Sequence, residues 1–216
     1  MTDNWGKLAV GVRLRAPDPY FVNSWIQVVA NGLRKGDILL IPSMELPHAS
    51  ALNFLVEQFM KSDAETLLLL DDDMVFDQQA VESLRLAGEG FDILSGLTVA
   101  RCGGGPVALN FDGSTGRHEP MTEALKAGGI VPVDITGMFF TLIRRVVVEA
   151  LYTKADTFRY INGLGEDGDF CRRAKSLDFK IGVATFVNIG HRVTSTWTWD
   201  REKNTTNIMA SDNIPR

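Results

Sequence analysis

A single α/β domain with a mainly parallel central sheet flanked by helices is predicted by three observations. Short apolar runs of strand type alternate with amphipathic helical patterns over the first 100 residues, and that alternation is how a parallel sheet covered on both faces reads in sequence. The four-leucine run of "TLLLLDDDMVF" (66–76) is apolar at consecutive positions, as expected of a strand buried on both faces. No internal repeat or linker divides the 216 residues, a length that suits one domain burying roughly 70% of its unfolded surface.

The elements follow in order. "KLAVGVRL" is apolar and β-rich, and the two prolines of "RAPDPY" end it in a turn. Val22, Trp25, Ile26, Val29 and Leu33 recur at helical spacing, and "DILLIP" reads as a second short strand. Leu52, Leu55, Val56 and Phe59 define the next helix, which leads into the leucine strand. "DQQAVESLRLAG" is a helix for which Asp77 is the natural N-cap, and "FDILSGLTVA" a strand. Beyond Arg101 the character changes. "RCGGGPVALNFDGSTGRHEP" is glycine-rich hairpin and loop chemistry, "VPVDITGMFFTLI" a strand, "RRVVVEAL" a short helix. "GEDGDFCRRAKSL" is a loop feeding a helix, with Phe170, Ala174 and Leu177 at i, i+4 and i+7, and "KIGVATFVNIGH" the last apolar strand. Within the single domain 1–216, residues of about 1–100 are expected to form a nucleotide-binding half, about 101–195 a second half shaping another pocket, and 200–216 a polar tail.

Composition narrows the function classes. Hydrophobic content of 45% and 23% charged residues are those of a soluble globular protein, and a net charge of −5 argues against a broad basic face for nucleic acid or membrane. Cys102 and Cys171 are too few for a disulfide framework or a Cys-rich zinc site. The start lacks the plan of a signal peptide, and no apolar run approaches about 18 residues, so a cytoplasmic protein without a membrane partner is expected.

Three constellations carry chemistry. Asp71, Asp72 and Asp73 stand where a strand ends, the place at which open α/β sheets bind ligands. Like charges so close resist joint ionisation unless a cation sits among them, and oxygen-only ligands suit Mg²⁺ or Mn²⁺. Turn or helix capping is the alternative, a job Asp77 already fills. Glu166, Asp167 and Asp169 open a helix, where acidic residues are favourable in any case through capping and the dipole. Beside a metal cluster, however, a second acidic group suits a general base. A lone histidine is more often structural than a ligand, but His191 in "VNIGHRV" follows a strand and a glycine and so can project into a cleft, whereas His48 and His118 lie in poorly patterned surroundings and read as structural. "GGGPVA" fails as a dinucleotide fingerprint because Pro106 and a strand follow where a helix should start, and no Gly-Lys-Ser/Thr marks a P-loop.

With "LLLLDDDMVF", "GEDGDFCRRAK", "VDITGMFFTLIRR" and "NIGH" in this order from about Lys7 to Arg192, the chain resembles a glycosyltransferase of the GT-A (Rossmann-like) fold, close to the family 2-like enzymes of bacteria and phages. The resemblance implies a nucleotide-sugar donor, a UDP-sugar above all, whose diphosphate is held through a divalent metal, manganese or magnesium. Asp73 would coordinate the metal, Asp71 would contact it or the donor's ribose, and Asp72 would lie alongside the donor. His191 would add a ligand. Asp167 would be the base that deprotonates an acceptor hydroxyl, with Glu166 positioning acceptor or base and Asp169 in reserve. Gly137, in the strand that resembles the family's acceptor side, counts among the donor-site positions. "SALNF" keeps Asn53 of the family's Arg-Asn pair but has Leu52 where the arginine would stand, so Arg101 and Arg192 become the candidates for positive charge at the donor. A facing carboxylate base points to single displacement with inversion, and a retaining enzyme is the alternative, since the metal motif serves both outcomes.

The acceptor of such an enzyme would be a glycan, a small molecule or a hydroxymethylated base in DNA, the last requiring a flipped or exposed base. Arg144-Arg145 and Arg172-Arg173 are the basic pairs available to touch phosphates. Trp197 and Trp199, two apart, would share one face of an extended chain, available for stacking on sugars or bases or for ordinary packing. A nucleotidyltransferase also uses aspartates on a metal, but "GVRLRAPDP" lacks the glycines that its phosphate loop normally needs. A non-catalytic nucleotide-sugar or glycan-binding module is the remaining class, and the intact carboxylates Asp71, Asp73 and Asp167 argue against it.

Overall fold

The protein is described from a computed structural model, which places residues 5–44, 46–100, 105–115, 117–153, 156–161, 164–192, 196–200 and 205–209. The first half alternates as the sequence predicts: β1 (Leu8–Leu14), α1 (Pro19–Gln27), β2 (Ile38–Leu39), β3 (Ser43–Met44), α2 (His48–Met60), β4 (Thr66–Asp71), β5 (Met74–Val75), α3 (Ala80–Leu86) and β6 (Ile93–Leu97). The glycine-rich stretch folds as the expected hairpin, β7 (Ala108–Asp112) with β8 (Arg117–Pro120), followed by α4 (Thr122–Ala127). "VPVDITGMFFTLI" is three strands rather than one: β9 (Ile130–Pro132), β10 (Ile135–Thr136) and β11 (Phe140–Arg144). Next come α5 (Arg145–Leu151), α6 (Glu166–Ser176), β12 (Ile181–Asn188), β13 (Gly190–Arg192), β14 (Thr196–Asp200) and β15 (Thr205–Met209).

The central sheet has the order β2-β1-β4-β11-β6-β12-β9, with β3 also on β1. It is mixed, which corrects the expectation of a mainly parallel, Rossmann-like sheet. β1 runs parallel to β2, β3 and β4, and β12 parallel to β6, but β11 is antiparallel to both its neighbours and β9 antiparallel to β12. Two smaller sheets, β10-β7-β8 and β15-β14-β13-β5, are antiparallel throughout. The physical reason is that an apolar run fixes burial, not direction, and β11 is reached from the small β10 sheet instead of through a helical crossover from β6. Because β11 lies between β4 and β6, the two expected halves share one sheet. Within the polar tail, Thr205–Met209 folds back on β14 as an antiparallel strand.

The four leucines of β4 serve both faces. Leu67 and Leu69 pack with α2 residues Leu52, Leu55, Val56 and Phe59 and with Phe170 of α6, while Leu68 and Leu70 pack with Phe21, Phe76, Val81 and Leu84 on the other side. Side chains alternate across a strand, so only an unbroken apolar run satisfies two cores. α1 turns a different face inward than the apolar spacing suggests: Phe21, Ser24 and Val28 are buried, whereas Val22, Ile26 and Val29 are exposed. Asp18 caps this helix by accepting from the Tyr20 amide, with Pro19 at its first position. Asp77 bonds the Gln79 amide but lies ahead of α3, whose N-cap is Gln79.

One buried ion pair ties the sheet edge to α3. Arg85 and Asp37 side chains are 1% and 3% exposed and 2.5 Å apart, and Asp37 also accepts from the Leu8 and Arg34 amides. Asp37→Ala leaves a buried cation and two amides without acceptors, and is expected to cost about 3–5 kcal/mol in chemical denaturation. The double replacement of Arg85 and Asp37 by apolar residues is expected to recover much of that loss.

Candidate functional site

The register of two parallel strands builds the site. Arg13 near the end of β1 lies opposite Asp71 at the end of β4, and the Arg13 guanidinium donates to the Asp71 carboxylate. Asp71 is buried because every residue of β4 is buried, and its amide bonds the Phe139 carbonyl just ahead of β11. The start of β11 therefore meets the ends of β1 and β4 at one edge of the sheet. The N-terminus of α6 points at the same edge, where Glu166 Oε1 lies 3.7 Å from Arg13 and 3.5 Å from His48 Nδ1. The Tyr160 hydroxyl also donates to Glu166.

These groups line a cavity of about 200 Å³, with Arg13, Asp71, Glu166, Asp167, His48 and His191 on its walls. A smaller recess shares Arg13, His48 and Asp71 and continues to Asp72 and Asp73. Asp167 is half-buried as a residue, but its Oδ1 is fully enclosed and has no hydrogen-bond partner, and the Met138 amide donates to the same carboxyl group. Gly137 is needed beside it. A Cβ there would fall 2.4 Å from the Phe139 ring and 3.5 Å from Asp167 Oδ2.

Electrostatics sets the two aspartates apart from ordinary carboxyls. Burial, then Glu166 and Asp71, push Asp167 up to about 7 against the opposing pull of Arg13. Burial pushes Asp71 up to about 6; Arg13 opposes this, and Asp73 and Asp72 add to it. For Arg13, burial favours the neutral form, but Asp71, Asp167 and Glu166 outweigh it and hold the guanidinium more firmly charged.

His191 is delivered by β13, which pairs with β5 so that His191 faces Met74, and the Arg192 amide bonds the Asp73 carbonyl. Its Nδ1 lies 2.8 Å from the Val99 carbonyl and its Nε2 3.3 Å from Asp73 Oδ2. A carbonyl only accepts, so Nδ1 carries the proton. In the neutral ring Nε2 then presents a lone pair towards a carboxylate, an arrangement that calls for a cation or a second proton between them. A buried Asp71 Oδ1 with no hydrogen-bond partner lies two residues away. Among the described residues no three His, Cys, Asp or Glu side chains already stand gathered as a metal cluster, because Asp71 is drawn to Arg13.

Other candidates lie elsewhere. Asp72 Oδ2 accepts from the Arg15 and Ala16 amides at 2.5 and 2.7 Å, so it pins the loop after β1 while forming a wall of the recess. Asn53 is buried with both ends of its amide bonded to the Phe158 backbone, outside the cavity. Asp169 is buried and gripped by Arg159, Arg172 and Arg173 at 2.7–3.0 Å. Burial would raise it, but the three guanidiniums prevail and hold it below the usual carboxylate range, which removes it as a reserve base. Arg192 is committed to Asp18 at 3.0 Å and lies over the Tyr20 ring. Arg101 falls outside the described residues, as do the side chains of Trp197 and Trp199.

The residues that sequence reasoning missed are Arg13, His48 and Tyr160. Arg13 had a signal, a cation at the end of an apolar strand, as the aspartates are at the end of another. His48 and Tyr160 had none, since each reaches Glu166 only through the tertiary fold.

No family model and no curated protein matches the chain. A solved structure titled "Crystal Structure of A197 from STIV" is similar over 98% of this chain and 97% of that one, at 19% identity and a TM-score of 0.62. At that identity the likeness shows the fold alone: the mixed α/β architecture described above is one that this chain shares with A197.

Proposed function

We propose that the chain is a glycosyltransferase that moves a sugar from a nucleotide-diphosphate donor to an acceptor hydroxyl, with inversion. The observation that carries the reading is a carboxyl group near neutral pKa, Asp167, sharing one cavity with Arg13, Asp71 and His191. A general base works best when its pKa lies close to the working pH.

Asp71, Asp73 and His191 would hold the divalent cation. Two carboxylates and an imidazole whose other nitrogen is fixed by a carbonyl form a donor set that suits Mn²⁺ or Mg²⁺. Such a cation offsets the charge that grows on a departing diphosphate. The chain's own residues do the rest. Asp167 takes the proton of the attacking hydroxyl, and the Met138 amide aims its carboxyl group. Glu166, steadied by Tyr160 and His48, raises the proton affinity of Asp167 and accepts hydrogen bonds from the acceptor. Arg13 keeps three buried carboxyl groups compatible with one another.

Nucleoside diphosphate release from a panel of nucleotide sugars, with Mn²⁺ and with EDTA, tests the reading. Release from one donor that EDTA abolishes is the expected result. No release from any donor, together with no donor-induced rise in melting temperature, overturns it. Asp167→Asn is expected to lower turnover about 10²–10⁴-fold while donor binding persists.

Asp167 also makes a stability prediction. Its folded pKa is raised, so between about pH 4 and 7 this group binds more protons in the folded state than in the unfolded one, and its own contribution to stability falls as pH rises across that window. Asp167→Asn removes this slope. The variant is expected to match the parent near pH 4 and to exceed it near pH 8 in urea denaturation.

A further inference from the structure

The hairpin β7–β8 leans over the flank of α6 and leaves a second cavity of about 240 Å³, lined by Phe111, His118, Asp134, Ile135, Arg172 and Lys175. None of these residues lines the cavity that holds Asp167. Phe111 and His118 are directly opposite one another across the hairpin, with ring centroids 5.5 Å apart at 63°. Phe111 is 56% exposed, so one face of its ring is open to a ligand in this cavity.

The polar groups around that ring are arranged in a particular way. Lys175 Nζ lies 2.5 Å from Asp134 Oδ1, and Asp134 Oδ2 accepts from the Phe111 amide. An ammonium and a carboxylate thus sit side by side beside an aromatic ring, offering a donor and an acceptor to neighbouring hydroxyls. Arg172, on the same face of α6 as Lys175, is half-exposed. Among the described residues, the three guanidiniums of Arg159, Arg172 and Arg173 meet two carboxylates here, the buried Asp169 and Asp156. The volume falls below the ~300 Å³ at which drug-sized sites begin, which leaves room for about one ring and its substituents.

We propose that this cavity is a binding site for an acidic sugar, a pyranose ring bearing a carboxylate, formed by Phe111, Asp134, Arg172 and Lys175 apart from the Asp167 cavity. The apolar face of the ring stacks on Phe111, vicinal hydroxyls bond the Asp134–Lys175 pair, and the carboxylate meets Arg172. Asp134 selects against the other flat anions. A nucleotide phosphate, doubly charged, would have to sit beside a carboxylate, whereas hydroxyls bond to one. The site depends neither on a metal nor on glycosyl transfer.

Ligand-observed NMR titrations with methyl glucuronide, methyl glucoside and AMP test the proposal on the full chain without added metal. Methyl glucuronide is expected to bind in the millimolar range to the parent and equally to Asp167→Asn. Phe111→Ala is expected to weaken it about tenfold. Arg172→Gln is expected to bring it down to the affinity of methyl glucoside. Both positions are half-exposed or more, and melting temperatures close to that of the parent exclude a folding defect. Three results overturn the proposal: no binding of methyl glucuronide, binding that Phe111→Ala leaves intact, or AMP binding more tightly than methyl glucuronide in a Phe111-dependent way.

Discussion

A single guanidinium holds the candidate site together. Arg13 faces Asp71, Glu166 and Asp167, three carboxyl groups brought from two different elements into one enclosed space. Buried charges are tolerated only when they are paired, and here one cation answers three potential anions. The remaining imbalance falls chiefly on Asp167, pushed up to about 7, and less on the Arg13-paired Asp71, pushed up to about 6. Protons retained near neutral pH mark where additional positive charge would be welcome, which is how an enclosed acidic site prepares for a cation or for a hydroxyl proton.

The mixed sheet makes this convergence possible. In a wholly parallel sheet the strand between β4 and β6 would send its carboxyl end to the site. Here β11 lies antiparallel between them, so its entry, the Gly137–Phe139 segment, comes to that edge instead. This brings a glycine where a side chain would collide with Phe139, the Phe139 carbonyl that receives the Asp71 amide, and the Met138 amide that addresses Asp167. The following helix α5 leaves from the opposite edge, where Arg145 bonds the backbone of Phe59, Ser62 and Ala64. One edge is thus given to polar chemistry, the other to tying helices down.

What the sequence made legible follows from local physics. The leucine run of β4, the hairpin strands β7 and β8 and the acidic start of α6 are each determined by neighbours in sequence, and each stands where expected. Asp71, Asp167 and His191 were visible for the same reason, as side chains at element ends. Strand direction was not legible, because β11 would read alike in either sense. The buried face of α1 was not legible either: Val22, Ile26 and Val29 share helical spacing with one another, yet the sheet receives Phe21 and Val28. Asn53 and Asp169 looked like site residues and lie outside the lining of the cavity, for a reason only the fold supplies: the Phe158 backbone meets one, and three guanidiniums meet the other.

The contact between His191 and Asp73 spans 118 positions, and β12 reaches back some 88 to pair with β6. Contacts that distant close late, since the loop entropy has to be spent before they reward it. During synthesis, the edge that carries Asp71, Asp73 and Arg13 is complete long before the strand bearing His191 has emerged. A nascent or prematurely ended chain therefore holds the acidic residues without the histidine or the last strands of the sheet. The architecture ties the finished site to the arrival of β13, so that whatever chemistry occurs there begins only after the chain has been made and folded through Arg192.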